Sequence, residues 1–165
     1  MLKLLMVMNM KKTIIAILIA VVILAGGFLI YQHFGKRVNI NSEVVYFSHK
    51  TSGSRAGYTR YLVVEKRNGK VYVKTLPDGE GFEEDLVERE VSEECLRELT
   101  QYLKDHKVGK WAGFEKYNKN VLDGTSWSLD IRLENDKEIE ANGYMSYPKN
   151  YREIINGIYE LVAKY

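Results

Sequence analysis

Between Thr13 and Gly35 the chain carries no charged side chain, and residues 14–30 are almost wholly Ile, Leu, Val and Ala. A helix over Thr13–Tyr31 rises about 28 Å at ~1.5 Å per residue, close to the hydrocarbon thickness of a bilayer. A helix in a globular core shows a polar stripe somewhere in five turns, and this segment has none. The segment therefore predicts a transmembrane helix over about 13–32, with Tyr31, Gln32 and His33 as an interfacial collar. Lys11 and Lys12 precede it directly, the order of an export signal. That order makes Met10 the expected start of translation and residues 1–9 an extension. Small residues at Ala25, Gly26 and Gly27 offer cleavage after about Gly27 as the alternative to a retained anchor. The apolar run continues through Phe28–Ile30, which favours retention, and no cysteine follows it to carry a lipid. Charges, then an apolar run, then a long domain give the expected orientation: a single pass with the C-terminal domain outside the cell membrane.

The anchor also holds the chain's excess of positive charge. Formal net charge is +2, but residues 36–165 contain 21 Lys or Arg against 22 Asp or Glu. A near-neutral domain lacks the basic footprint that nucleic acid requires, and lacks a polybasic excess for anionic lipid. Cys95 is the lone cysteine, so an internal disulfide is impossible, and its expected role is a small residue on a helix face. The organisation expected is a targeting segment and anchor over 1–35, a linker over 36–43, and an extracytoplasmic domain over 44–165.

Within that domain the apolar periodicities alternate between two kinds. Val44–Phe47 reads as a strand. Residues 58–67 and 70–76 flank Asn68-Gly69, which suits the two positive-φ positions of a type I′ turn and sets Val64 opposite Val73 and Leu62 opposite Thr75. A short strand is expected at 86–91. Ser92 is the expected cap of a helix to about Lys107, with Leu96, Leu99 and Leu103 as its buried stripe and Gly109 as its stop. Residues 108–125 show no period. Residues 126–134 alternate, with Trp127, Leu129, Ile131 and Leu133 on one face. The returning strand at 137–145 is expected to pair Leu133 with Ile139, Ile131 with Ala141 and Trp127 with Met145, across a three-residue loop or a bulge near Asn135–Lys137. Pro148 opens a last helix whose stripe is Tyr151, Ile154, Ile155, Ile158, Leu161 and Val162. The economical assembly is α+β: an antiparallel sheet with both helices on one face, in the order hairpin, helix, hairpin, helix.

Chemistry is less legible. None of His33, His49 and His106 stands at ligand spacing from another metal-binding residue, and packing or surface roles are expected for all three. The acidic stretch 78–85 lacks the spacing of a calcium loop. The glycine-containing loop over Lys50–Gly57 lacks the ending of a phosphate loop, and no glycine-flanked nucleophilic serine is present. The sequence thus implies no metal, no cofactor and no catalytic residue, although carboxylate pairs that meet only in space keep a hydrolase open. The distinctive composition is aromatic and amide-rich loop, with twelve tyrosines in the chain. Trp111 and Phe114 are expected to plug the core. Tyr117, Asn118, Tyr144 and Tyr147 are the candidate contact residues for a protein, peptide or glycan at the cell envelope. A non-enzymatic binding or accessory module is the leading reading, and a small-ligand sensor or hydrolytic enzyme of the envelope the alternative.

The same segments carry a resemblance. Lys110-Trp111, Gly113-Phe114, Asn120–Gly124, and Gly143-Tyr144-Met145 with Tyr147–Tyr151 resemble an uncharacterised domain family of Gram-positive, Clostridia-type bacteria. The resemblance spans about residues 44–163. It implies an exported, membrane-anchored domain and carries no assigned activity. This chain departs from lipoprotein members in lacking the lipid-bearing cysteine, so the helix itself would be the tether.

Overall fold

The computed structural model describes residues 37–53, 57–77 and 81–165, together with Ile17, Ile19 and Val21–Ile23. The chain divides into two compact units, Met1–Lys36 and Arg37–Tyr165. In the first, the five described residues are helical, and their apolar side chains are 55–70 % exposed. The rest of the span expected over 13–32 lies outside the described residues, as do His33, the start at Met10 and the cleavage point near Gly27. Among the described residues no helix is long and apolar enough to cross a membrane.

The second unit is α+β. Seven strands form one sheet: β1 (Val44–Ser52), β2 (Arg60–Arg67), β3 (Lys70–Thr75), β4 (Val87–Val91), β5 (Phe114–Tyr117), β6 (Ser126–Leu133) and β7 (Glu138–Tyr144), in the order β4-β3-β2-β1-β6-β7-β5. Two helices, α1 (Glu94–Asp105) and α2 (Tyr151–Val162), complete it. All neighbours are antiparallel except β5 and β7, which run parallel. The sheet is therefore mixed rather than purely antiparallel. The cause is four residues at its edge, Phe114–Tyr117, too short to show an alternation in sequence.

Alternation decides which side chains meet the helices. Phe47, Leu62, Val64, Val71, Val73, Leu129, Ile131, Leu133, Ile139 and Ala141 form one buried cluster with Leu96, Leu99 and Leu103 of α1 and the whole expected stripe of α2. Each fully buried Leu or Ile contributes roughly 2 kcal/mol. Cys95 is buried in the same cluster, and desolvation pushes its thiol up to about 11. The first hairpin turns at Asn68 (φ 52°) and Gly69 (φ 76°), with Val64 opposite Val73 and Leu62 opposite Thr75.

Four local expectations are corrected. The first strand does not stop at Phe47: Ser48, Lys50 and Ser52 alternate with His49 and Thr51, so β1 continues to Ser52. In the second hairpin Ile131 faces Ile139, Leu129 faces Ala141 and Trp127 faces Gly143. The expected faces hold but the partners move by two residues. The expected three-residue loop is there, with Asp136 at φ 61°, but it closes at Leu133, whose N–H meets Lys137 O at 2.9 Å, so each pairing slides by two. At the start of α1 the N-cap is Glu93, with no side-chain hydrogen bond, instead of Ser92. At its end the left-handed residue is Lys107 (φ 56°), and Gly109 serves close packing instead.

Candidate functional site

The two faces of the sheet differ in cover. The helices close one. On the other, Tyr61, Val63 and Leu76 form a small cluster with Tyr46, Tyr58 and Leu86. The chain between β3 and β4 returns over this end, where Tyr58 and Gly81 exchange backbone hydrogen bonds of 2.6 and 3.0 Å. Beside this cluster the centre of the sheet stays open. There a groove of about 290 Å³ is lined by side chains of Tyr46, Ser48, Lys50, Tyr61, Ser128, Asp130, Glu140 and Asn142.

Register explains how these residues converge. Ser48 pairs with Asp130 and Lys50 with Ser128 across β1 and β6, while Asp130 pairs with Glu140 and Ser128 with Asn142 across β6 and β7. The polar positions that alternate with the core in three adjacent strands thus form one floor. Tyrosines wall it on the β2 side. Lys50 Nζ lies 5.4 Å from the Tyr58 ring centre and 5.7 Å from that of Tyr61, and the Arg132 guanidinium lies 4.0 Å from that of Tyr46. Burial, with Glu83 adding, raises the Tyr61 phenol to about 12. Asp130 makes no hydrogen bond or ion pair with the described residues. Burial raises its carboxyl above the usual range; Arg132 opposes this, and Glu140 and Glu138 reinforce it.

Two of the four residues singled out by sequence meet on this same face, and Asn118 braces them through its backbone. Tyr117 and Tyr144 are register partners, and their rings stack at 4.7 Å between centres and 16° between planes. Tyr117 is 64 % exposed. Tyr144 donates its hydroxyl to Leu122 O at 2.8 Å, and Asn118 N–H donates to Tyr144 O at 3.0 Å, which fixes the pair. Tyr144 follows Asn142 by two residues on β7, so the stack continues the groove toward the β5 edge. Tyr147 is placed elsewhere. It packs 4.9 Å from Tyr151 and 6.3 Å from Trp127, within the aromatic cluster beneath α2 that also holds Trp111. Phe114 packs against Trp127 from β5, and the Trp127 indole donates to Ser146 O at 2.8 Å.

Sequence reasoning missed Ser48, Lys50, Tyr61, Ser128, Asp130, Glu140 and Asn142. The signal was present as the wet half of each alternation, but an open sheet face and a solvated one read alike until the strand order is known. His49, for which a packing or surface role is expected, takes the packing one. It is buried at the centre of β1, with Nε2 2.8 Å from the Tyr151 hydroxyl and Nδ1 3.2 Å from that of Tyr159. Burial and the nearby Arg60 lower its pKa to about 3, so it stays neutral. His106 packs its ring against Tyr102 at the surface. Among the described residues no group of three or more His, Cys, Asp or Glu is placed to hold a metal ion. Positions 78–80 of the acidic stretch lie outside those residues, and Glu83–Asp85 form a 3-10 turn.

No protein-family model matches the chain, and a search of curated proteins finds no match.

Proposed function

We propose that the chain is a membrane-anchored, non-enzymatic module of a bacterial cell surface, and that the open sheet face binds a glycan of the envelope. The observation that carries the binding half is the groove itself: a half-buried carboxylate with no hydrogen bond or ion pair to the described residues, set among hydroxyls and an amide, between tyrosine walls. A sugar offers the complement, an apolar C–H face for a ring and hydroxyls for Asp130, Glu140 and Asn142. The Tyr117–Tyr144 stack extends the surface beyond one sugar and favours a chain. The anchor half rests on the uncharged run over 13–35, on the exposed apolar side chains at Ile17, Ile19 and Val21–Ile23, and on the resemblance to an exported domain family. The same resemblance supports a C-terminal domain outside the membrane.

The test uses purified cell-wall sacculi in a sedimentation assay with the full chain in detergent. Asp130→Asn and Tyr144→Ser should each weaken capture about tenfold or more, the scale of a contact hot spot. Equal capture by both variants, with unchanged tryptophan emission, rejects the site. Retention of the chain in carbonate-washed membranes, with the domain open to protease on intact protoplasts, tests the anchor separately.

A second reading has one specific support. Asp130, its carboxyl raised by burial, stands in register beside Glu140, and a pair of carboxyls is what glycoside hydrolysis needs. Release of reducing ends from sacculi, abolished in Asp130→Asn, would favour the hydrolase over the binding module.

A further inference from the structure

A second depression lies where the chain enters the domain, away from the sheet's open face. Val38 donates its N–H to Gly109 O at 3.0 Å, and Ile40 is buried in the core. A Cβ on Gly109 would stand 1.9 Å from Val38 O, so only glycine admits this approach. The turn that presents Gly109 is itself fixed. Lys107 adopts φ 56°, and Val108 and Trp111 of the following 3-10 turn are buried. This packing directs four cationic residues to one place: Arg37 from the lead, Lys104 from the last turn of α1, Lys107 just before the 3-10 turn and Lys110 within it. With Val38 and Ile40 they line a depression of about 250 Å³, and none of the described residues that line it is acidic.

Net charge averaged over the domain conceals this pole. Lys104, Lys107 and Lys110 form no ion pair with the described residues. The carbonyl end of α1 accounts for a cation at Lys104, but its influence is confined to the last turn and does not account for the others. Like charges fixed around one cavity repel, and a polyoxyanion relieves that repulsion through charge-assisted hydrogen bonds.

We propose that this depression binds the phosphate of an anionic phospholipid headgroup. The proposal rests on the anchor reading above, which sets the headgroup layer close by. Six residues, 31–36, separate the end of the apolar run from Arg37, and they reach at most about 20 Å when extended. The lipid is then the concentrated source of phosphate, and binding would hold the domain to the bilayer surface.

The experiment titrates the full chain, in micelles of a zwitterionic detergent, with three probes: dihexanoyl phosphatidylglycerol, dihexanoyl phosphatidylcholine and inorganic phosphate. Phosphatidylglycerol should bind at least tenfold more tightly than either other probe. Each lysine near an anionic headgroup is worth about fivefold. The combined variant K104Q/K107Q/K110Q should therefore lose about a hundredfold, with its thermal melt unchanged. If that variant fails to fold, K107Q and K110Q singly should each lose about fivefold. Undiminished binding by the folded variants, or no binding by the unsubstituted chain, overturns the proposal. Inorganic phosphate or phosphatidylcholine bound as tightly as phosphatidylglycerol overturns the assignment to an anionic lipid. Because the titration is performed in micelles, it reads the pocket separately from membrane retention, which reads the anchor.

Discussion

His49 should make the stability of the domain depend on pH in a window that carboxylates alone do not explain. Its imidazole is fully buried at the centre of the sheet, between the hydroxyls of Tyr151 at 2.8 Å and Tyr159 at 3.2 Å. A neutral ring donates through one nitrogen and accepts at the other, so both contacts are satisfied without charge. Arg60 adds a reason to stay neutral, since its guanidinium lies 3.8 Å from the Tyr159 ring centre. The folded state therefore takes up a proton only near pH 3, whereas the unfolded chain does so near the ordinary value of 6.5. Above pH 6.5 neither state is protonated, and the full stability is present. As pH falls below 6.5 the unfolded state alone binds the proton, and stability declines toward the folded pKa by about 1.4 kcal/mol per pH unit. Between pH 7 and pH 4.5 that amounts to roughly 2–3 kcal/mol, a large share of the stability of a small domain. His49→Gln removes the titration while keeping a donor and an acceptor, at a cost of about 1–3 kcal/mol at pH 7. The assay is urea unfolding of the full chain in micelles, read by tryptophan emission. The chain has two tryptophans, Trp111 and Trp127, both buried in the domain. The advantage of the unsubstituted chain over the variant should shrink by about 2–3 kcal/mol from pH 7 to pH 4.5. A difference that stays constant across that range refutes the reasoning.

Other expectations follow from packing and burial. Gly109→Ala should cost about 2–3 kcal/mol by the same unfolding assay, because Val38 O is backbone and cannot swing aside; an unchanged midpoint would contradict the close approach. Cys95 should resist iodoacetamide in the native state and react once urea exceeds the unfolding midpoint, since its thiol is buried and raised to about 11. Asp130→Asn should not lower the urea midpoint at pH 7. Its carboxyl is raised, so ionisation on the unfolded side favours unfolding as pH climbs, and removing the charge removes that penalty.

The buried half of the fold was readable because it repeats. Leu96, Leu99 and Leu103 recur at helical spacing, and Tyr151 through Val162 do the same; both stripes are buried in the structure. The Asn68-Gly69 turn fixed its hairpin because two adjacent positive-φ positions leave few loop geometries. A three-residue loop or a bulge is expected near Asn135–Lys137, but the register that the Glu134–Asp136 loop sets was misread, because Asp136 takes a left-handed conformation that asparagine or glycine would have signalled more clearly. β5 was invisible for a different reason: its pairing with β7 is parallel, and no local turn announces a parallel neighbour. The candidate site was legible only at Tyr117, Asn118 and Tyr144, which stand in aromatic loops. The remaining groove residues are drawn from β1, β2, β6 and β7, and proximity across strands is a property of topology.

The position of β1 has a consequence for how the domain forms. Its Phe47 pairs with Val64 on one side and with Ile131 on the other. For a chain delivered N-terminus first, the β1–β2–β3 meander can close early, but the free edge of β1 must wait for β6. Pairings so distant in sequence carry a loop-closure cost and slow folding. Until residues 126–144 arrive, a long strand with Phe47 and His49 on its apolar side remains an open template for another chain. Truncation after Gly124 should therefore yield aggregates rather than a smaller soluble domain, and refolding should be limited by the step that seats the β6–β7 hairpin against the middle of the sheet.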